Sequence, residues 1–230
     1  MKLNEMPELF GLNREKLEKA AEEFRYLLER GYNREGALNF VVSHHRLDKT
    51  HKLILLRGVF SSEEVEERRR KTVSFKELGG RVLALDGYNV LIVLETMLRN
   101  QLLIEGDDEY IRDVSGMHGK HRVTSLTTTA LSVLFDELRK VQPKEVLVFF
   151  DRPVSKSGEL AGITRQIMKT HGVMGDSLTA SQTDNAVIST GEIALTSDSV
   201  ILQKAKKCFD IAGHIVKEKE YGKILKLKAT

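Results

Sequence analysis

The sequence predicts an α/β protein with a mostly parallel central sheet, preceded by a small all-α region. From about residue 80 onward, aliphatic runs of strand length end in an aspartate: Arg81-Val82-Leu83-Ala84-Leu85-Asp86, Glu145-Val146-Leu147-Val148-Phe149-Phe150-Asp151 and Ile193-Ala194-Leu195-Thr196-Ser197-Asp198. Amphipathic segments of helical period lie between them, and strands alternating with crossover helices build a parallel sheet covered on both faces. Before residue 79, apolar residues recur at helical spacing instead. The chain therefore divides into a helical region, 1–78, and an α/β domain, 79–230, joined through Lys76-Glu77-Leu78-Gly79-Gly80.

In the helical region Asn13 suits an N-cap, and Leu17, Ala20, Ala21, Phe24, Leu27 and Leu28 follow at helical spacing until Gly31 stops the run. A second helix is expected after Asn33 with Leu38, Val41 and Val42, continuing or breaking near Asp48 ahead of residues 53–56. Ser61-Ser62-Glu63-Glu64 reads as a capping box opening a third, strongly charged helix through Arg70. His44, His45, Arg46, Lys49, His51 and Lys52 form one basic stretch and Arg68-Arg69-Arg70-Lys71 another. A solvated helix face is expected for both, with contact to a phosphate backbone as the alternative. For His44, His45 and His51, the sequence offers no second ligand cluster that would complete a metal site.

In the α/β domain the first strand passes through Gly87 into a helix expected to reach about Leu103, before Glu105-Gly106-Asp107-Asp108 interrupts the pattern. Residues 109–114 and 120–123 flank Ser115-Gly116-Met117-His118-Gly119, predicting a hairpin or ordered loop. It concentrates Arg112, His118, Lys120, His121 and Arg122 into a basic flap. Thr124 suits the cap of a helix that turns Leu126, Ala130, Val133, Leu134 and Leu138 toward the sheet, with Pro143 past its end. Arg152 and Pro153 follow Asp151, and residues 157–171 supply another crossover helix. Thr183-Asp184-Asn185-Ala186-Val187-Ile188 places an acid at a segment start. Residues 200–209 are expected as a short helix holding Cys208, and residues 211–216 as the last strand.

The aspartates are the candidate chemistry. Open parallel sheets bind ligands outside the carboxyl ends of their strands, so Asp86, Asp151 and Asp198 converge if their strands are neighbours, and Asp184 joins them from a helix start. Helix capping explains any one of them, but not the recurrence. Carboxylates so close resist ionising together unless a cation compensates. Hard divalent ions such as Mg²⁺ take oxygen ligands, keep several waters, and orient water for attack on a phosphodiester. Asp86, Asp151, Asp184 and Asp198 are thus the expected catalytic set. Arg112, Lys120, His121 and Arg122 of the flap, with Arg152, are the expected substrate grip.

Three segments, Leu85-Asp86-Gly87-Tyr88-Asn89-Val90-Leu91, Val148-Phe149-Phe150-Asp151 and Leu195-Thr196-Ser197-Asp198, resemble the NYN branch of the PIN-like nucleases over residues 80–216. The resemblance implies a three-layer PIN-like domain that cleaves RNA with Mg²⁺ or Mn²⁺. Asp86, Asp184 and Asp198 would bind the metal, Asp151 would complete the acidic pocket, and Asn89, Thr196 and Ser197 would hold ligands or the scissile phosphate. PIN-like proteins usually place a full helix between the last two acidic positions, whereas residues 184–198 hold about two helical turns and a short strand. Glu95 or Asp176 stands as the alternative to Asp184. The rival reading is a catalytically inactive RNA-binding or regulatory protein on the same fold. RNA is the expected partner in both, and the sequence allows a homo-oligomer.

Bulk properties narrow the field. Thirty-six basic against 33 acidic residues leave a net charge of +3, so a nucleic-acid partner has to be argued from local clusters. Aromatic content of 6% without Trp speaks against recognition led by base stacking. Neither Gly-x-Gly-x-x-Gly nor a nucleotide-hydrolase phosphate loop is present, and Tyr88 stands where an aspartyl-nucleophile phosphatase needs its second acid. A single cysteine excludes an internal disulfide. The start lacks a signal peptide's hydrophobic segment and no apolar run spans a bilayer, so a cytoplasmic protein without membrane contact is expected.

Overall fold

The computed structural model describes residues 8–9, 12–116 and 121–227. A short antiparallel ribbon of β1 (Glu8–Leu9) and β2 (Leu12–Asn13) precedes α1 (Arg14–Glu29), α2 (Arg34–His44), α3 (Lys49–Gly58) and α4 (Ser62–Lys71). Each helix starts where a side chain accepts an otherwise unpaired backbone N–H: Asn13 from Lys16, Asn33 from Gly36, Asp48 from His51 and Ser61 from Glu64. The break at Asp48 is thus a true helix start. Leu17, Phe24, Leu38, Val41, Ile54 and Leu55 form a core that also takes in Leu102, Ile104, Leu225 and Leu227 from the other half of the chain. No helix among the described residues is long and apolar enough to cross a membrane.

A 3-10 turn (Phe75–Leu78) leads into β3 (Val82–Asp86), α5 (Gly87–Leu98), β4 (Leu103–Glu105), β5 (Ile111–Asp113), α6 (Ser125–Val141), β6 (Glu145–Asp151) and α7 (Ser157–Thr170). Then come β7 (Gly175–Ala180), α8 (Thr183–Thr190), β8 (Ile193–Leu195), α9 (Ser199–Lys204), β9 (Cys208–Phe209), α10 (Ile211–Glu218) and β10 (Ile224–Lys226). Five strands in the order β7-β6-β3-β8-β9 form one sheet, parallel throughout. The runs that look uniformly apolar alternate in use. Leu83, Leu85, Val146, Val148, Phe150, Ile193 and Leu195 pack with α5, α6, α7 and α10, whereas Ala84, Phe149 and Ala194 face Val187, Ile201 and Leu202 of α8 and α9. Helices therefore cover both faces, as a parallel sheet requires.

β3, first in the chain, is central; the chain builds outward to β6 and β7 on one side and then to β8 and β9 on the other. Such a reversal opens a crevice at the carboxyl end of the central strand. Asp86 ends β3, Asp151 ends β6, and Asp198 caps α9 three residues past β8. Glycine at position 87 permits a close approach of this turn to β6, since a β-carbon would collide with the Phe150 ring and lie 2.9 Å from the Phe149 carbonyl oxygen.

Four expectations are corrected. α5 stops at Leu98, where Asn100 adopts a left-handed φ of 57°, and does not reach Leu103. The hairpin is β4 with β5, turning through residues 106–110, and residues 121–124 form no strand. Residues 200–209 are not one helix: α9 ends at Lys204, and Cys208 is a buried strand residue. Residues 211–216 are helical because Asp210 caps α10 by accepting Gly213 N–H, and Ile211, Ala212, Ile215 and Val216 share one helical face. β7 carries no apolar signal because it is an edge strand, paired among the described residues with β6 alone.

Gly87→Ala is expected to cost about 1–3 kcal/mol in urea unfolding through overpacking against Phe150. Gly158→Ala, in a helix with open space around its α-carbon, is expected to gain up to about 1 kcal/mol. Equal stabilities for the two variants would contradict the tight turn.

Candidate active site

Asp86 and Asp198 are both helix N-caps. Asp86 Oδ1 accepts Asn89 N–H at 3.3 Å, and Asp198 Oδ1 accepts Val200 and Ile201 N–H at 2.8 and 3.2 Å. Asn89 ties the two turns together, its Oδ1 accepting Ser197 N–H at 2.8 Å and Ser197 Oγ–H at 3.0 Å. Thr196 Oγ1 stands 3.4 Å from Asp86 Oδ2 and accepts Asp198 N–H at 3.0 Å. The Thr-Ser-Asp segment is thus held against the β3–α5 turn by an amide and a hydroxyl. On the other side, Asp151 Oδ1 accepts the hydroxyl of Thr183 at 2.6 Å, and Asp184 follows as an exposed side chain of α8.

Asp151, Asp184 and Asp198 all lie near enough to act on the charge of Asp86. Burial pushes the Asp86 carboxyl from 3.8 up to about 8, and the charges of Asp198, Asp151 and Asp184 add to the rise, while Asn89 N–H opposes it. The Tyr88 hydroxyl is raised to about 12 by burial and then by the charge of Asp151. No three of the aspartates bring carboxylate oxygens within 4.8 Å of one another; among the described residues only Glu23, His44 and His45 meet that spacing.

The expected substrate grip divides. Arg152 and Arg122 are exposed, Arg152 immediately after Asp151. Lys120 and His118 lie outside the described residues. Arg112 is not on a flap: it is 4% exposed, its Nη1 and Nη2 donating to Asp108 at 2.7 and 2.6 Å and its Nε to the Ser197 carbonyl at 2.8 Å. It braces the Thr-Ser-Asp turn from within. His121 is buried too, its Nε2 2.9 Å from Glu95 Oε1, which also accepts Thr127 Oγ1–H at 2.6 Å. Burial alone would raise the Glu95 carboxyl, but bonds from His121 and Thr127 and the charge of Arg99 hold it below the usual range. Glu95 is therefore committed elsewhere and is no substitute for Asp184. Neither is Asp176, near the amino end of β7 at the opposite edge of the sheet. Sequence reading missed Thr183, whose hydroxyl is bound by Asp151; adjacency to Asp184 was the available signal.

Residues 75–214, which include all four aspartates, match a family described as a domain of unknown function (DUF5616). The chain belongs to the DUF5616 family. Residues 16–71 match a second description, a protein of unknown function (DUF434), so the two matched segments meet at the end of α4. An uncharacterized protein of Methanocaldococcus jannaschii is 35% identical over 187 residues, 81% of this chain and 89% of that protein. No solved structure matches. Ion pairs bridge the two matched segments: Arg25 to Asp107, Arg57 to Asp113 and Arg68 to Asp108.

Arg112→Met leaves the wholly buried Asp108 carboxylate with Arg68 alone, and urea unfolding is expected to show a loss of about 3–5 kcal/mol. Arg69→Met, on an exposed side chain, is expected to unfold like the wild type. A raised carboxyl pKa means that the Asp86 contribution to stability is full below pH 3.8 and is lost as pH rises through about 8. In chelator, the wild type should therefore lose melting temperature relative to Asp86→Asn across that window; parallel pH curves would remove the electrostatic account.

Proposed function

We propose that this protein is a metal-dependent ribonuclease with a PIN-like, NYN-type domain, acting in the cytoplasm on RNA. The observation that carries the reading is the placement of Asp86 and Asp151 at the carboxyl ends of neighbouring parallel strands and of Asp198 just past β8 on the other side of β3, with Asp184 near enough to add to the rise of the Asp86 carboxyl. The donor set is all oxygen, carboxylates backed by an amide and hydroxyls, which suits Mg²⁺ or Mn²⁺.

Asp86, Asp184 and Asp198 would hold the ion, with Asp151 completing the acidic wall. Bound there, Mg²⁺ or Mn²⁺ would activate water and stabilise the leaving oxygen of a phosphodiester. Asn89 fixes Ser197, and Thr196 fixes Asp198, so the ligands are oriented before substrate arrives. Arg152 and Arg122 offer exposed guanidiniums to the RNA backbone. A second reading, an RNA-binding protein without cleavage, draws on the exposure of Asp184, which leaves that wall the least enclosed.

The experiment is cleavage of varied RNAs with Mg²⁺ or Mn²⁺. Wild type should cut, with Asp86→Asn and Asp198→Asn each slower by roughly 10²-fold or more. Failure of the wild type on every RNA, or variants that cut as fast as it does, would end the nuclease reading. Retained RNA binding in a filter assay would then favour the second.

A further inference from the structure

A cluster on the helical region, away from the acidic crevice, has the chemistry of a different metal. Glu23 lies on α1, His44 ends α2 and His45 is its C-cap, the two helices being joined through residues 30–33. His45 Nε2 is 2.8 Å from Glu23 Oε2. The His44 ring is stacked on Phe40, with an interplanar angle of 8°, and meets His45 edge-on at 4.9 Å between centroids. One potential ligand atom from each of Glu23, His44 and His45 lies within 4.8 Å of both others, the only such trio among the described residues.

We propose that Glu23, His44 and His45 bind a borderline divalent cation, with Zn²⁺ favoured, that clamps α1 to the end of α2. Two imidazole nitrogens and one carboxylate form a zinc ligand set, and the fourth position is left to water. Two ligands of a tetrahedral zinc stand roughly 3.4 Å apart, so small rotations of these surface side chains close the site. The carbonyl end of α2 adds partial negative charge at His44 and His45, where a cation is welcome. His51 takes no part, because neither of its ring nitrogens falls within the trio's spacing. Imidazoles are poor ligands for Mg²⁺, so this ion differs in kind from one held by the aspartates, and the site stands whether or not the chain cuts RNA.

The test is Zn²⁺ titration of the full chain by calorimetry in excess Mg²⁺, which occupies oxygen-only sites. One Zn²⁺ per chain is expected, with affinity lower by roughly tenfold or more in His44→Ala and in Glu23→Gln and lost when all three residues are replaced. No zinc binding, or binding unchanged in the triple variant, overturns the proposal. NMR of the unaltered protein supplies a reading independent of how the variants fold: one equivalent of Zn²⁺ should move the His44 and His45 imidazole resonances and spare His51, His171 and His214. Shifts confined to other histidines overturn it equally.

Discussion

The Asp108 carboxylate has no exposed surface, and its neutralisation by two guanidiniums is the interaction on which both halves of the structure depend. Arg68 reaches it from α4 and Arg112 from β5, one from each side of the joint between the helical region and the α/β domain. Burial would raise this carboxyl, yet the Arg112 and Arg68 charges and bonds hold it below its usual range. A charge so buried tolerates the loss of neither partner, which makes the docking of α4 a condition of the fold. The guanidiniums of Arg68 and Arg112 both stack near the Phe60 ring, 3.9 and 5.0 Å from its centre, which adds a favourable contact for each cation.

The consequence runs to the crevice. Arg112 spends its remaining Nε–H on the Ser197 carbonyl, so the turn that presents Asp198 is held from below by the same ion pair that anchors the helices. Asn89 holds the same turn from above. The acidic crevice is therefore set by rigid neighbours on two sides, the kind of support that keeps ligand groups in place when their mutual repulsion would spread them. The helical region, with its core completed by Leu102, Ile104, Leu225 and Leu227, is a structural part of this arrangement and not an appendage.

Asp86 and Asp198 also explain why helix capping and a functional crevice need not compete as readings. Each uses one carboxylate oxygen on backbone N–H groups of its own helix, and helix N-termini favour negative charge. That support lets acids gather at the sheet edge, but it does not cancel the burial of Asp86, whose carboxyl still rises to about 8.

Local chemistry made much of this legible from the sequence. The helix caps Asn13, Asn33, Asp48 and Ser61, the strands ending in Asp86 and Asp151, and the recurrence of acids after apolar runs all follow from side chains acting on backbone within a few residues. What is non-local was decided by tertiary structure alone. β7 reads as polar because it ends the sheet formed by the described residues, and α10 reads as a strand because a short apolar run fits either period until Asp210 caps it. Arg112 and His121 look like surface cations in a glycine-rich stretch. Their burial depends on Asp108 and on Glu95, the latter 26 residues before His121, which no local pattern connects. Glu23, 22 residues before His45, completes a trio that the basic stretch alone does not contain, because only the packing of α1 on α2 brings it there.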